Sequence, residues 1–214
     1  MTSLNSPLYG LALHTTSSQL GLSLSDFAQE TYTKTWEVDR ELSNYLHQYL
    51  LDFIAPKTWQ DFKFIAVAKG PGSFTSTRIG MVTARTLSQQ LNIPLFGVST
   101  LAAFAWFHQD KYDINDPIPV QMKASRGQLY GAIYTKNTEG NSLNSLLVDT
   151  VMMPEEWEKK LQDLQIFSQP LITPSALGMT ANSVLKLANH DWQQGKRPHW
   201  SEAIPFYGMS VVTN

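Results

Sequence analysis

The sequence contains no cysteine. This absence excludes a disulfide framework, a zinc site built on thiolates and a cysteine nucleophile. Charge is also scarce: charged residues make up 16% of the 214 residues, the formal net charge is −2, and no block of Lys and Arg is present. Proteins that grip RNA through its phosphates usually carry a basic stripe, so the composition argues against strong RNA binding by this chain alone.

Long apolar runs are missing as well. No run approaches the roughly 20 residues that span a membrane. The first ten residues, MTSLNSPLYG, lack the basic region and apolar core of a signal peptide. The sequence therefore predicts a cytoplasmic protein with no membrane segment.

Common catalytic and metal-binding motifs do not occur either. The sequence has no GxSxG nucleophile elbow and no GxxxxGK[ST] phosphate loop. It also has no HxxxH pair of the kind that binds zinc on a helix. The five histidines are His14, His47, His108, His190 and His199. We therefore predict no catalytic residue, no metal site and no cofactor.

Apolar residues, at 43% of the chain, are sufficient for a buried core. Alternating or continuous apolar runs predict strands over 8–14, 19–25, 31–36, 62–68 and 95–98. Helical spacing predicts helices over 37–54, 74–91 and 99–107. Pro56 ends the first helix, Asn92 and Pro94 end the second, and Ser99 caps the third. The predicted order is β-β-β-α-β-α-β-α.

The polar stretch 108–116 is predicted to separate two lobes. Beyond it, the patterns predict strands over 118–123, 128–135 and 145–151, a helix over 154–164, a short strand over 171–173 and a helix over 176–192. We predict an N-terminal lobe of residues 1–107, on which the 176–192 helix packs back, a smaller lobe of residues 108–175 and an extended tail of residues 193–214. The chain is thus predicted to be α/β, with two lobes of mixed sheets flanked by helices.

Four segments resemble a known family. Gly70–Gly80, GPGSFTSTRIG, resembles the GPGSFTGxRIG signature of the TsaB family, formerly called YeaZ, with Ser76 in place of a glycine. Residues 93–101, IPLFGVSTL, resemble the family's IPxxGVSSLEA stretch, and residues 121–130, QMKASRGQLY, resemble its DARRGEVY strand. Residues 204–207, IPFY, lie where the family ends in PxYLR. The resemblance covers essentially the whole chain.

The resemblance implies an actin-like ATPase fold, also called ASKHA and related to ribonuclease H, and a role without a reaction of its own. TsaB proteins pair with the catalytic subunit TsaD, and the ATPase TsaE joins them. The assembly transfers threonylcarbamoyl to the adenosine beside the tRNA anticodon. The resemblance further implies that this chain meets tRNA only through the complex, and that it can form a homodimer through the surface it offers TsaD.

Small residues recur every four positions along the second predicted helix, at Ser76, Gly80, Ala84 and Ser88. Two interpretations are open. The row packs on this protein's own sheet, or it receives a helix of a partner, whose axis then lies about 8–10 Å away. Arg78, on the same helix, is a candidate to pair with a carboxylate of that partner.

The first predicted helix has more apolar positions than one core face needs. Tyr45, Tyr49 and Phe53 form one row, and a neighbouring row is made of leucine and isoleucine. One row can face the sheet and the other a partner, and interfaces favour tyrosine. We predict a partner interface made of the aromatic row, Arg78 and the row of small residues.

The signature loop before the second helix consists of Gly70, Pro71, Gly72, Ser73 and Phe74. Helix N-termini attract anions, which suggests a phosphate site. However, Pro71 removes one amide donor and no lysine follows the loop. We favour a tight turn formed by the glycines, with Ser73 as the helix cap.

An alternative function is an actin-fold ATPase or phosphotransferase with its own nucleotide site. Such enzymes hold their metal with an Asp at the end of the first strand, a position that TsaB relatives commonly keep as Asp. His14 holds that place here, and a neutral imidazole does not replace a carboxylate as a magnesium ligand. We therefore expect a subunit rather than an ATPase.

Overall fold

The computed structural model describes residues 8–206 and residue 208 of the chain. Within them the chain forms two sheets and five α-helices. Sheet A contains β1 (Tyr9–His14), β2 (Gln19–Ser25), β3 (Thr31–Glu37), β4 (Phe62–Ala68) and β5 (Leu95–Val98). Sheet B contains β6 (Ile118–Lys123), β7 (Leu129–Lys136), β8 (Leu143–Met152) and β9 (Leu171–Ile172). The helices are α1 (Leu42–Ile54), α2 (Phe74–Leu91), α3 (Thr100–Phe107), α4 (Pro154–Asp163) and α5 (Ala181–Gln193).

Sheet A has the strand order β3-β2-β1-β4-β5. Its first three strands form the predicted antiparallel meander, whereas β4 runs parallel to β1 and β5 parallel to β4. Every residue of β1 is buried, because α1 and α2 cover one face of the sheet and α5 covers the other. The prediction of an α/β protein with mixed sheets flanked by helices is confirmed.

The ends of the first helices follow from local chemistry. Helix α1 ends at Ile54, two residues before Pro56, whose ring cannot continue the helix. Helix α2 ends at Leu91, and the next residue, Asn92, adopts the left-handed conformation with φ 53°. At the start of α3, the Ser99 hydroxyl accepts a hydrogen bond of 3.1 Å from the Ala102 amide, so the predicted cap is confirmed.

Sheet B has the order β8-β7-β6-β9 and is antiparallel except for the β6–β9 pair. Helix α4 covers one face through Trp157 and Leu161, and α3 covers the other through Leu101 and Phe104. Helix α3 touches both sheets, because Ala103 packs in the core of sheet A. The proposed division into lobes at residue 107 stays a prediction.

Helix α5 begins at Ala181, five residues later than predicted. A single 3-10 turn, Gly178–Thr180, precedes it and lies against β2. At Gly21 of β2, a Cβ atom would lie 2.8 Å from the Cα of Gly178, so the two backbones approach closely. Such an approach is set by tertiary packing, and helical periodicity does not reveal it.

The predicted tail is described for residues 193–206 and 208. It contains one 3-10 turn, Trp200–Glu202, and the Phe206 amide donates a hydrogen bond of 2.7 Å to the Lys69 carbonyl. Phe206 therefore lies beside the signature loop. Tyr207, the last residue of the segment compared with PxYLR, lies outside the described residues.

Candidate functional site

The row of small residues on α2 faces sheet A of the same chain. Gly80, Ala84 and Ser88 are buried, and a Cβ atom at Gly80 would lie 2.9 Å from Cγ2 and 3.0 Å from Cβ of Thr15. The prediction that these three residues meet a partner is therefore corrected. Their small size lets α2 approach the end of β1 closely, which is the first of the two interpretations above.

The other two predicted interface residues of α2 lie nearer the surface. Ser76 is half-buried, and its hydroxyl accepts a hydrogen bond of 3.0 Å from the Ser73 hydroxyl. Arg78 is exposed, and its guanidinium lies 5.1 Å from the centre of the Phe74 ring, in the range of a cation–π contact. Their role in binding a partner stays a prediction.

The aromatic row of α1 packs against strand β3. Tyr49 stacks on Trp36 with 4.8 Å between ring centroids, and Phe53 stacks on Tyr32 at 5.1 Å. Phe53 is buried, which corrects its assignment to a partner interface. Tyr45 is 47% exposed and stacks on Tyr49, so the row is free of the protein's own core only at its N-terminal end.

An apolar groove opens between α1 and α2 on the side that faces away from sheet A. Leu51 on α1 and Val82 on α2 are 52% and 62% exposed. The groove has a volume of about 430 Å³. We call this surface the α1–α2 face; it is lined by His47, Leu50, Leu51, Trp59, Val82, Thr83, Thr86 and Leu87. Clustered exposed apolar side chains of this kind mark binding sites more often than single ones do.

The side of α2 opposite the row of small residues carries Val82. Val82 lies between Gly80 and Ala84 in the sequence, and two residues correspond to about 200° around a helix. Burial of the small residues therefore turns Val82 outward. In the sequence, the available signal for an exposed apolar surface was the presence of two large apolar residues, Leu51 and Val82, outside the rows named above.

The signature loop is held by backbone hydrogen bonds to two other parts of the chain. The Ser73 amide donates to the Thr16 carbonyl at 2.8 Å, and the Thr100 amide donates to the Gly70 carbonyl at 2.8 Å. Gly70 has a φ of 102°, which favours glycine. Ser73 occupies the N-cap position of α2, but its side chain forms no capping hydrogen bond, so that prediction is corrected. The observed contacts give the loop a structural role.

Two residues of the signature loop, Pro71 and Phe74, differ in their exposure to solvent. Pro71 is buried, whereas Phe74 at the first turn of α2 is exposed and lies beside Arg78. Gly72 leaves no space for a side chain, because a Cβ atom there would lie 2.7 Å from Cβ of Thr16. The loop thus packs tightly against the end of β1, with Gly70 and Pro71 buried and Gly72, Ser73 and Phe74 exposed.

His14, at the end of β1, is fully buried. Neither ring nitrogen has a hydrogen-bond partner among the described residues. Burial lowers the pKa of His14 from 6.5 to about 3, so the imidazole is neutral at physiological pH. A buried neutral imidazole at this position gives no support to the alternative of a magnesium-dependent nucleotide site.

A small polar cluster links the two sheets. Oδ1 of Asp149 accepts hydrogen bonds from the Ser99 hydroxyl at 2.9 Å and from the Tyr134 hydroxyl at 2.7 Å. Burial raises the pKa of Asp149, and burial also raises the pKa of Tyr134 well above its ordinary value. Ser99 follows the last strand of sheet A, whereas Tyr134 and Asp149 lie in sheet B. The cluster therefore joins the sheets.

Residues 8–206 and 208 contain no group of three His, Asp or Glu side chains arranged to hold a metal ion. In the same residues, no helix has both the length and the apolar character needed to cross a membrane.

Comparison with known proteins defines the class first. The solved structure of YeaZ from Pseudomonas aeruginosa covers 94% of this chain and is itself covered to 99%, with a TM-score of 0.76 and 20% sequence identity. A similar structure from the same organism, described as resembling the peptidase YEAZ, gives a TM-score of 0.78, also at 20% identity, with 94% of this chain and 100% of that chain covered. These likenesses establish the fold. The chain is a two-sheet α/β protein with the same fold as these two structures.

Sequence comparison then gives the family. Residues 51–182, more than half of the 214, match the family model described as "TsaD: tRNA N6-adenosine threonylcarbamoyltransferase". The chain belongs to this family.

Three relatives are each described as "tRNA threonylcarbamoyladenosine biosynthesis protein TsaB". The Bacillus subtilis (strain 168) protein is 36% identical over 104 residues, which are 49% of this chain and 43% of that protein. The Escherichia coli (strain K12) protein is 32% identical over 107 residues, 49% of this chain and 44% of that protein. The protein of Buchnera aphidicola subsp. Schizaphis graminum (strain Sg) is 41% identical over 80 residues, 37% of this chain and 38% of that protein. The chain thus spans less than half the length of these relatives.

Proposed function

We propose that this chain is a non-catalytic subunit of the machinery that makes threonylcarbamoyladenosine in tRNA, and that it acts by binding a TsaD protein through the α1–α2 face. The names of the TsaB relatives support the assignment to this biosynthetic process. The partner comes from the TsaD family model and from the resemblance of the signature segment.

The exposed apolar groove of the α1–α2 face is the observation that carries the proposal. Leu51 and Val82 lie on neighbouring helices and expose more than half of their surface to solvent. Burial of apolar surface contributes about 25 cal/mol per Å², so covering this groove is favourable. A partner that presents its own helix pair would complete a four-helix contact, with interhelical packing like that within a protein core.

The non-catalytic role is supported by the end of β1. Actin-like ATPases hold their metal there with an Asp, and this chain has a neutral, fully buried His14. The signature loop also uses the Ser73 amide in a hydrogen bond to Thr16, so that amide is not free to bind a phosphate. The ATPase alternative therefore has no observation in its favour, although ATP binding by the isolated chain would revive it.

Further parts of the proposal concern the assembly. We propose that the TsaE ATPase joins the pair and that tRNA contacts the chain only within the complex. The α1–α2 face would also serve a second copy of the chain, so a homodimer and the TsaD heterodimer would be mutually exclusive. Sizing of the chain alone and with increasing TsaD tests this competition, because the homodimer should disappear as the heterodimer forms.

Charged substitutions on the α1–α2 face are expected to abolish partner binding without unfolding the chain. Val82→Arg and Leu51→Asp each place a charge in the apolar contact, and we expect each to weaken binding at least about 30-fold, as loss of a central interface residue does. The measurement is titration of TsaD from the same genome with each variant, followed by sizing of the mixture.

The fold provides matched controls on sheet B. Val148 and Leu146 of β8 are 67% and 57% exposed, close to the values for Val82 and Leu51. Val148→Arg and Leu146→Asp should bind TsaD as tightly as the parent does. The proposal fails if the parent does not associate with TsaD at micromolar concentrations with TsaE and nucleotide present, or if the two sets of variants lose affinity equally.

A further inference from the structure

Helix α2 carries cations but no acid, and its cations lie beside the α1–α2 face, on the side of the helix that carries Val82. Its 18 residues contain Arg78 and Arg85 and no Asp or Glu. These two arginines are seven residues apart, which is two helical turns and about 10 Å along the same side of the helix. Val82 lies between them on that side. The exposed side of α2 therefore presents a cation, an apolar side chain and a second cation in a line.

Both guanidinium groups rest on aromatic rings of the same chain. Arg78 lies 5.1 Å from the centre of the Phe74 ring, and Arg85 lies 5.4 Å from the centre of the Trp200 ring. A ring under a guanidinium restricts the side chain and leaves its N–H groups available for an acceptor. The two cations are therefore positioned before any partner arrives.

Neither arginine has a carboxylate partner within the described chain. The salt bridges among residues 8–206 and 208 use Lys57 and Lys196. Helix α1 has one acid, Asp52, but it lies beside Tyr32 of β3, and its Oδ1 accepts a hydrogen bond of 2.8 Å from Gln48. Among residues 8–206 and 208, no salt bridge therefore pairs Arg78 or Arg85 with an acid.

We infer that the partner bound at the α1–α2 face presents a carboxylate to each of Arg78 and Arg85, on either side of an apolar contact with Val82. The inference rests on the proposed function and adds the chemistry of the docking segment: a helix with acidic side chains about two turns apart and apolar side chains between them. Arginine forms two parallel hydrogen bonds with a carboxylate, so the two pairs would fix the position of the partner helix along α2.

The test is the affinity for TsaD of a double variant, Arg78→Gln with Arg85→Gln, at about 50 mM and about 500 mM salt. Screening shortens the range of charge interactions from more than 10 Å to a few ångströms over this interval. We expect the double variant to bind about 100-fold more weakly than the parent at low salt and to have a smaller dependence on salt. Thermal unfolding of both proteins confirms that the variant is folded.

The matched control removes two positive charges elsewhere. Arg126 lies in the turn between β6 and β7 and Lys159 lies on α4, and both are exposed on the sheet B side. The variant Arg126→Gln with Lys159→Gln should keep the parent's affinity and salt dependence, which separates a local pairing from a change in net charge.

The outcomes separate the two proposals. If the parent binds and the Arg78/Arg85 variant matches it at low salt, or loses no more affinity than the control variant, the carboxylate inference is wrong and the interface proposal stands. If the parent does not bind, both fall. In the expected case, replacing acidic residues of TsaD by amides one at a time should reveal positions whose effect disappears in the double variant.

Discussion

Replacement of Gly80 by leucine is expected to destabilise the folded chain by about 3 kcal/mol, the upper end of the range for overpacking. A Cβ atom at this position already lies within 3.0 Å of the Thr15 side chain. Thr15 is buried, and the position of its Cβ is fixed by the backbone. No change of side-chain rotamer therefore removes this contact. Helix α2 must therefore move away from β1, which opens the core between them.

The measurement is unfolding in urea, with Val82→Leu as the control. Val82 is on the same helix but points to solvent, so its replacement should change the free energy of unfolding by no more than about 0.5 kcal/mol. If the row of small residues instead received a partner helix, Gly80→Leu would fold with the parent's stability and lose only TsaD binding. That result would contradict the packing described here.

The outline of the fold could be predicted from the sequence because its signals are local. The apolar runs of β1 and β4, the end of α1 before Pro56 and the Ser99 cap each depend on a few neighbouring residues. The late start of α5 was missed because the close approach of Gly178 to Gly21 joins segments more than 150 residues apart. Periodicity contains no information on such a contact.

The candidate site could be predicted only in part, for a related reason. Periodicity identifies which residues share a side of a helix, but it does not say which side faces the sheet. For α2, the side that carries Gly80 packs on the sheet because small residues permit a close approach, and Val82 on the other side is exposed. For α1, Phe53 packs on β3, a pairing of rings across the sequence that the aromatic row alone does not show. All five helices were predicted, although α1 and α5 each begin five residues later than predicted, at Leu42 and Ala181. Which side of each helix faces the sheet required the structure.

His14 is expected to make the chain unusually sensitive to acid. Burial lowers the pKa of His14 to about 3, whereas its ordinary value of 6.5 applies in the unfolded chain. The unfolded state therefore binds a proton as the pH falls below 6.5, while the native state does not until the pH approaches 3. The stability that His14 contributes is complete above pH 6.5 and declines below it. At 1.36 kcal/mol per pH unit, about 3 kcal/mol is lost between pH 7 and pH 4.

The comparison of the parent with His14→Leu isolates this contribution. Leucine does not titrate, so the variant should lose about 3 kcal/mol less than the parent between pH 7 and pH 4, because all other titrating groups are common to both proteins. Urea unfolding at both pH values supplies the four free energies. Equal losses in the parent and in His14→Leu would mean that His14 is protonated as readily in the folded chain as in the unfolded chain. The protonated ring would then need a hydrogen-bond acceptor, which neither ring nitrogen has among the described residues.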